Sequence, residues 1–504
     1  MFEVQNQPPP LEDYNLLQTD AVLLEAVRRE GADWAESRLS NLGGELGTPE
    51  TIALGFAANR NPPQLKAFDR YGHRLDEVEF HPAWHALMTL ALRAGLHSSP
   101  WADPKPGAHV ARAAGCYMLG QIESGVLCPL AMTYGSVPTL SQNRAIAKEW
   151  LPRIFSHYYD PHFRPAREKT SALIGMGMTE NQGGSDLRTN TTRAEPSGDG
   201  SFRLFGHKWF MSAPMCDAFL VLAQAPQGLT CFLLPRWTPD GERNAIRINR
   251  LKDKLGNKSN ASSEVEFDGA YAQRIGEEGR GIPTIIEMGN YTRLDCAIGS
   301  SSLMRQALAQ AVHHAANRAA FQKRLIDQAL MTNVLADLAL ESEAAAALTF
   351  RLARAYDEDD DAAIAFRRVV TPAAKFWICK RALAVTGEAM EVLGGSGYIE
   401  ESMMPRLYRE APVNSIWEGS GNVMCLDVLR ALDRTPGAAE VLAAELAVDG
   451  EPRVRPFLDR LSQRLAAPDR RDEAQARALV RDLVLALQAT LLVRHAPPEV
   501  ADAF

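Results

Sequence analysis

The sequence predicts an α+β chain in which a central β-barrel interrupts helical domains, and three observations lead there. Apolar residues recur every three or four positions up to about residue 159, alternate between about 171 and 275, and return to helical spacing from about 282. The alternating stretch is cut by the turn-rich segments SGDGS, QG and PDGER. The chain has 504 residues, enough for about three domains at roughly 150 residues each. The expected layout is an N-terminal helical domain over 1–170, a β-barrel over 171–281, a helical bundle of the four-helix type over 282–434, and a short helical extension over 435–504.

Each element has its own signature. The first helices are written in AVLLEAVRRE and HALMTLALRAGL, separated by the proline-bearing loops NRNPPQ and SPWADPKPGAH. SFRLFGHKWFMS, AFLVLAQA, LTCFLLPR, AIRINRL and SSEVEFDGAY are the barrel strands. From Ile282 an alanine-rich helical pattern runs to Tyr356, breaks at Asp357–Asp361, which reads as a solvated loop, and resumes to Leu393. Two or three long helices are expected. Pro372 falls inside the second pattern, so either a helix begins near it or the helix kinks. After Thr435 comes a weakly amphipathic tail with nine arginines, no lysine and eleven acidic residues.

Composition removes several classes. An apolar share of 46% with 23% charged residues belongs to a globular chain. With 54 basic against 62 acidic residues and a net charge of -8, nucleic acid would need a local patch. The 7 cysteines are scattered without a C-x-x-C pair, as expected of reduced core thiols. The N-terminus lacks a signal-peptide pattern, and the longest uncharged stretch, Ala218 to Pro235, is broken by polar residues and proline. A cytoplasmic protein without a membrane span is the expectation. No G-x-S-x-G, H-E-x-x-H, P-loop or G-x-G-x-x-G occurs, and the His81/His85 spacing lacks a third ligand, so no metal is expected.

Four segments can carry chemistry. Gly177 to Asp186 (GMTENQGGSD) combines a close-approach glycine pair with the hydroxyls of Thr179 and Ser185; the alternative is a plain turn into the barrel. Trp209–Ser212 offers an aromatic plane and a hydroxyl to a flavin ring, or a buried core tryptophan. Glu391 to Tyr398 ends a helix in Gly394–Gly395, as many C-caps do. Ile416 to Asn422 places Glu418 beside an aromatic and a flexible backbone. There the carboxylate is either a desolvated base able to take a proton next to a carbonyl, or part of a helix N-cap region.

In this order and on this layout, GMTENQGGSD and EVLGGSGYIEESMMPRLYRE resemble the two long motifs of the acyl-CoA dehydrogenase family, and the likeness covers nearly the whole chain. NQPPPL, RLKDKLGNKSNAS, TPAAKFWICKR and PVNSIWEGSGNVMCLDVLR further resemble its adaptive-response branch, bacterial flavoproteins induced by alkylating agents. The resemblance implies FAD, a homotetramer built as a dimer of dimers, and electron-transfer flavoprotein or oxygen as acceptor. It also implies flavin contacts for Met178, Thr179, Ser185, Trp209 and Ser212. Arg318 and Phe321 match an R-x-x-F that reaches a neighbouring subunit's cofactor, with Gln322 replacing the usual glycine. Gly394 and Gly395 would admit a partner's FAD, and Ser420 and Asn422 would meet the nucleotide. Glu418 matches the base; the position used by other branches holds Thr292, which cannot serve, followed by Arg293. Arg293 and Arg430 are expected at the substrate pocket, Arg430 either as a buried cation or in an external salt bridge.

The branch resemblance also implies duplex DNA binding, for which Arg470, Arg471, Arg477 and Arg481 are the candidates, and weak dehydrogenase activity on acyl-CoA of the isovaleryl kind. Three functions follow: an alkylation-response flavoprotein that binds DNA, a metabolic short- or branched-chain acyl-CoA dehydrogenase using Glu418, and an oxygen-dependent flavoenzyme that destroys alkylating compounds.

Overall fold

The computed structural model describes residues 3–448, 452–467 and 472–504. It forms two compact units, each assembled from segments distant in sequence: Met1–Ile52, Lys105–Ile122 and Arg293–Phe504 in one, Ala53–Pro104 and Glu123–Thr292 in the other. The predicted N-terminal helical domain is therefore divided between them. The reason lies in the Ala108–Ile122 helix, buried along its whole length. With no exposed face it must be enclosed, and the Glu36–Leu46 and Ala329–Arg354 helices pack on it.

In the second unit, β1 (Gln64–Phe68) and β2 (Arg74–Glu79) form an antiparallel hairpin inside the stretch expected to be helical. The barrel consists of β3 (Ile174–Thr179), β4 (Arg193–Pro196), β5 (Ser201–Ser212), β6 (Ala218–Ala225), β7 (Gly228–Pro235), β8 (Ile246–Leu251) and β9 (Ser262–Ile275). β5 pairs with β3 and β4 on one edge and β9 on the other; β6 joins β3 and β4 to β7, and β7 pairs with β9, which closes the ring. β8 adds to β9. Phe219, Leu220, Val221 and Leu222 of β6 are wholly buried, so this strand is covered on both faces and reads as a continuous apolar run.

In the first unit, the helices Ala329–Arg354, Asp361–Val392, Met404–Asn414 and Gly421–Arg434 pack with the end of the Gly281–Asn317 helix. The Asp361–Val392 helix runs through Pro372 unbroken; Pro372 lies on its buried face with Val369, Val370 and Ala373. The tail is part of this core. Leu479, Val480, Leu483, Val484 and Leu487 of the Ala476–His495 helix are buried against the two long helices. Asp357, expected in a solvated loop, instead accepts the backbone N–H groups of His109 (2.8 Å) and Val110 (3.3 Å) at a helix start. Burial pushes its carboxyl up to about 6. All seven cysteines are free and buried.

Candidate active site

The barrel carries one set of the predicted residues on neighbouring strands. Register places Met176 opposite Ser212 and Thr179 opposite Phe210, with an irregularity at Met178. Met178, Thr179, Trp209 and Ser212 thus lie together on adjoining strands of one sheet. The following loop folds back onto β3, because a Cβ at Gly184 would stand 2.6 Å from the Thr179 hydroxyl. Glycine is required there, and Ser185 follows it into solvent. One face of the Trp209 indole is covered by the Lys252 ammonium, 3.7 Å from the ring centroid.

What holds this loop is a fully buried ion pair. Lys208 Nζ donates to Glu180 Oε1 at 2.7 Å and to the Leu222 carbonyl at 2.8 Å. Glu180 also accepts from the Thr191 N–H (2.6 Å), the Thr191 hydroxyl (3.0 Å) and the Thr192 N–H (3.2 Å). Asn190 Nδ2 closes the far end on the Met178 carbonyl at 3.0 Å. Burial alone would raise the Glu180 carboxyl, but Lys208 and the N–H donors outweigh it and hold it at about 2. Burial likewise brings Lys208 down to about 8, against the attraction of Glu180.

The bundle carries the base. Glu418 has φ of 58° and Gly419 of 108°, two successive residues in the left-handed region. A Cβ at Gly419 would also meet Met424 Cε at 2.5 Å. Arg293 Nε donates to the Glu418 carbonyl at 3.1 Å and its Nη1 to Asp427 Oδ2 at 3.1 Å; Arg368 Nη2 takes Asp427 Oδ1 at 2.7 Å. Lys375 Nζ donates to the carbonyls of Trp417, at 2.7 Å, and Gly419. Trp417 is oriented by its indole N–H on Asn414 Oδ1 (3.0 Å), whose amide donates to Ser300 Oγ (3.1 Å).

Among the other predicted residues, Arg293 donates to the Glu418 carbonyl and to Asp427, linking the base loop to its helix. Arg430 is exposed on the Gly421–Arg434 helix, because Val428, Leu429 and Ala431 take the inward positions; it is not a buried cation. Arg470 and Arg471 lie outside the described residues. Arg477 donates to Asn422 Oδ1 at 3.3 Å and Arg481 to its neighbour Asp482 at 2.8 Å, so each of these two has a partner within the chain. Thr292 donates to the Gly289 carbonyl at 3.1 Å. His81 accepts from the Ala83 N–H at its helix start, and His85 meets the Tyr159 hydroxyl at 3.1 Å.

Phe321 and Gln322 form the tip of a hairpin between Ala319–Ala320 and Lys323–Arg324, with φ of 52° and 67°. Such a turn favours glycine, which gives the usual glycine at position 322 its physical reason. Arg318 donates to the Asn6 carbonyl, and Phe321 stands 93% exposed. Around Gly394 and Gly395 an added Cβ would meet nothing within 4 Å among the described residues. Ser420 and Asn422 are exposed at the start of the Gly421–Arg434 helix. In the bundle, bare glycine backbone and a helix start are features that suit a dinucleotide; on the barrel, hydroxyl-bearing strands beside an indole are features that suit a flavin ring. Lys208, Lys375, Asp427 and Arg368 were not singled out by the sequence; lysines inside regular patterns carry no local mark of burial.

Residues 6–161 match the family described as adaptive response protein AidB N-terminal domain, 175–270 the acyl-CoA dehydrogenase middle domain, and 279–432 the acyl-CoA dehydrogenase C-terminal domain. The chain is 51% identical to AidB of Escherichia coli (strain K12) over 99% of its own length and 93% of that protein's. It is 33% identical to acyl-CoA dehydrogenase family member 11 of Caenorhabditis elegans, over 78% of this chain and 66% of that one. The structure is similar to that of Caenorhabditis elegans ACDH-11 in complex with C11-CoA, with a TM-score of 0.91 at 27% identity, covering 99% of this chain and 91% of that one. Butyryl-CoA dehydrogenase of Megasphaera elsdenii shares the fold, with a TM-score of 0.63 at 23% identity over 84% of this chain and 100% of that one.

Proposed function

The chain belongs to the acyl-CoA dehydrogenase family, whose members are FAD-binding flavoproteins, and we propose from this premise that it oxidises an acyl-CoA thioester with Glu418 as the base. The observation that carries the reading is the Glu418 turn: a carboxylate on a left-handed residue whose carbonyl and two flanking carbonyls are all held by cations from other helices. Bound FAD supplies the hydride acceptor. Glu418 takes the α-proton, with general-base catalysis worth typically 10²–10⁴-fold. The barrel residues Thr179 and Ser212 offer hydroxyls to the flavin ring, and Trp209 its indole face.

Anaerobic bleaching of the flavin by a graded acyl-CoA set, branched chains included, tests this; Glu418→Gln is expected to slow bleaching by about 10²-fold or more. No bleaching with any member, or a fully active Glu418→Gln, overturns it. A dimer of dimers belongs to the same proposal, supported by the exposed Phe321 at its hairpin tip; light scattering of the holoprotein checks the mass.

A role in the alkylation response is a second reading, supported by the match over residues 6–161 and by the identity to AidB. Duplex binding through Arg477 and Arg481 is expected to be weak, since both have partners within the chain. Retention of duplex at low salt that vanishes at higher salt would favour this reading; no retention at low salt removes it. Among the described residues no helix is long and apolar enough to cross a membrane.

A further inference from the structure

We propose that Lys375 is a positioning residue that fixes the backbone conformation from which Glu418 acts, an inference resting on the reading of Glu418 as the base. A glutamate in the left-handed region is strained by its Cβ against the carbonyl oxygen. Such a residue persists only where its surroundings over-determine it. Here three successive carbonyls, those of Trp417, Glu418 and Gly419, are taken in turn by Lys375, Arg293 and Lys375 again. Holding both peptide planes that flank Glu418 fixes the direction of its Cα–Cβ bond. The side chain is then aimed by backbone geometry before any substrate arrives.

Lys375 is a costly residue for a merely structural purpose. It is 1% exposed, on the inward face of the Asp361–Val392 helix among Thr371, Ala374 and Ile378. A buried ammonium is expensive unless its hydrogens are bonded, and methionine or leucine would fill the same volume without that cost. Both hydrogen bonds made by this ammonium go to the one loop that carries the base. The same loop is anchored independently through Trp417, Asn414 and Ser300, so it can stay attached to the bundle while the turn itself relaxes. Loss of Lys375 is therefore expected to disorder residues 417–419 locally rather than to unfold the unit. Proton abstraction needs its base within a fraction of an ångström of the reactive geometry, so a small relaxation there slows the reaction.

The test uses the FAD-loaded holoprotein as wild type, Lys375→Met, Lys375→Gln and Glu418→Gln. Amide hydrogen exchange over residues 417–421 is expected to rise at least tenfold in Lys375→Met, with exchange in the Ala329–Arg354 helix unchanged. Flavin reduction by the acyl-CoA that bleaches the wild type should slow tenfold or more while its dissociation constant stays within twofold. Lys375→Gln, which retains an N–H donor, should recover part of both effects, and it carries the test if the methionine variant does not fold. Unchanged exchange in both variants overturns the inference, as does a reduction rate equal to wild type. A Glu418→Gln variant with normal reduction sinks the base reading alone, and the exchange measurement still decides whether Lys375 holds the turn.

Discussion

Two loops, one on the barrel and one in the bundle, are each held by a fully buried lysine, and they are held differently. On the barrel Lys208 meets a carboxylate, Glu180, with side-chain exposure of 0% for both. In the bundle Lys375 meets two neutral carbonyls. A buried ion pair adds little net stability, because desolvation offsets attraction, but removing one partner strands the other charge. A buried cation on carbonyls strands only dipoles when it is lost. The barrel loop is thus the more fragile to single substitutions, and the base loop is the one that can relax without destroying the fold.

The largest effect should come from breaking the pair. Lys208→Met leaves Glu180 buried with only neutral donors, at an expected cost of about 3–5 kcal/mol, read as a lowered melting temperature with loss of bound FAD. The paired change Glu180→Leu with Lys208→Met should recover most of that stability, yet not the FAD, because the Thr191 and Thr192 contacts that shape the loop go with the carboxylate. If the single and double variants melt alike, the two loops do not differ in the way described. Lys375→Met, by contrast, should lower stability by no more than about 1–3 kcal/mol for the unsatisfied carbonyls.

The pH response separates the loops next. Glu180 is held at about 2, below its ordinary 4.5, so its contribution is complete above 4.5 and is lost as pH falls toward 2. Lys208 is lowered to about 8, so raising the pH through 8 removes the ammonium. Unlike methionine, the neutral amine can still donate to Glu180 and is cheaper to bury than the ammonium, so the fold should not melt there, but the charge attraction is lost and FAD retention should drop. Carbonyls do not titrate, so of the two lysine contacts only the barrel one has a carboxylate that acid can neutralise. Flavin fluorescence followed from pH 6 to 10 should show reversible release centred near 8; a flat profile removes Lys208 from flavin retention.

The two loops also differ in what could be read from sequence. The change of period located β5, β6, β7, β8 and β9 because their residues alternate or run apolar between turn-rich segments. β1 and β2 were missed because QLKAF and RLDEVE are short and half-exposed, with prolines just before the hairpin. Met178, Thr179, Trp209, Ser212 and Glu418 lie in compact motifs whose residue types announce chemistry. The residues that hold those motifs do not. Lys208 sits in GHKWF and Lys375 in PAAKFW, each looking like a polar residue in a regular pattern, and only tertiary burial shows what they do. Arg430 misled for the converse reason: spacing along a helix gives a face, but which face is inward depends on neighbours far away in sequence.

The smallest effect concerns Arg293, the second cation on the base loop. Lysine at that position keeps a charge for Asp427, which Arg368 also engages, but a single ammonium cannot span Asp427 and the Glu418 carbonyl as the guanidinium fork does. Arg293→Lys should therefore cost about 1 kcal/mol, with one carbonyl of the turn released and the two bound by Lys375 still in place. Exchange at residues 417–421 should rise less than in Lys375→Met. Flavin reduction should slow severalfold, and melting should shift by only a few degrees. An exchange increase equal to that of Lys375→Met would mean that the turn depends on all three carbonyl bonds together, and Lys375 would share its role equally with Arg293.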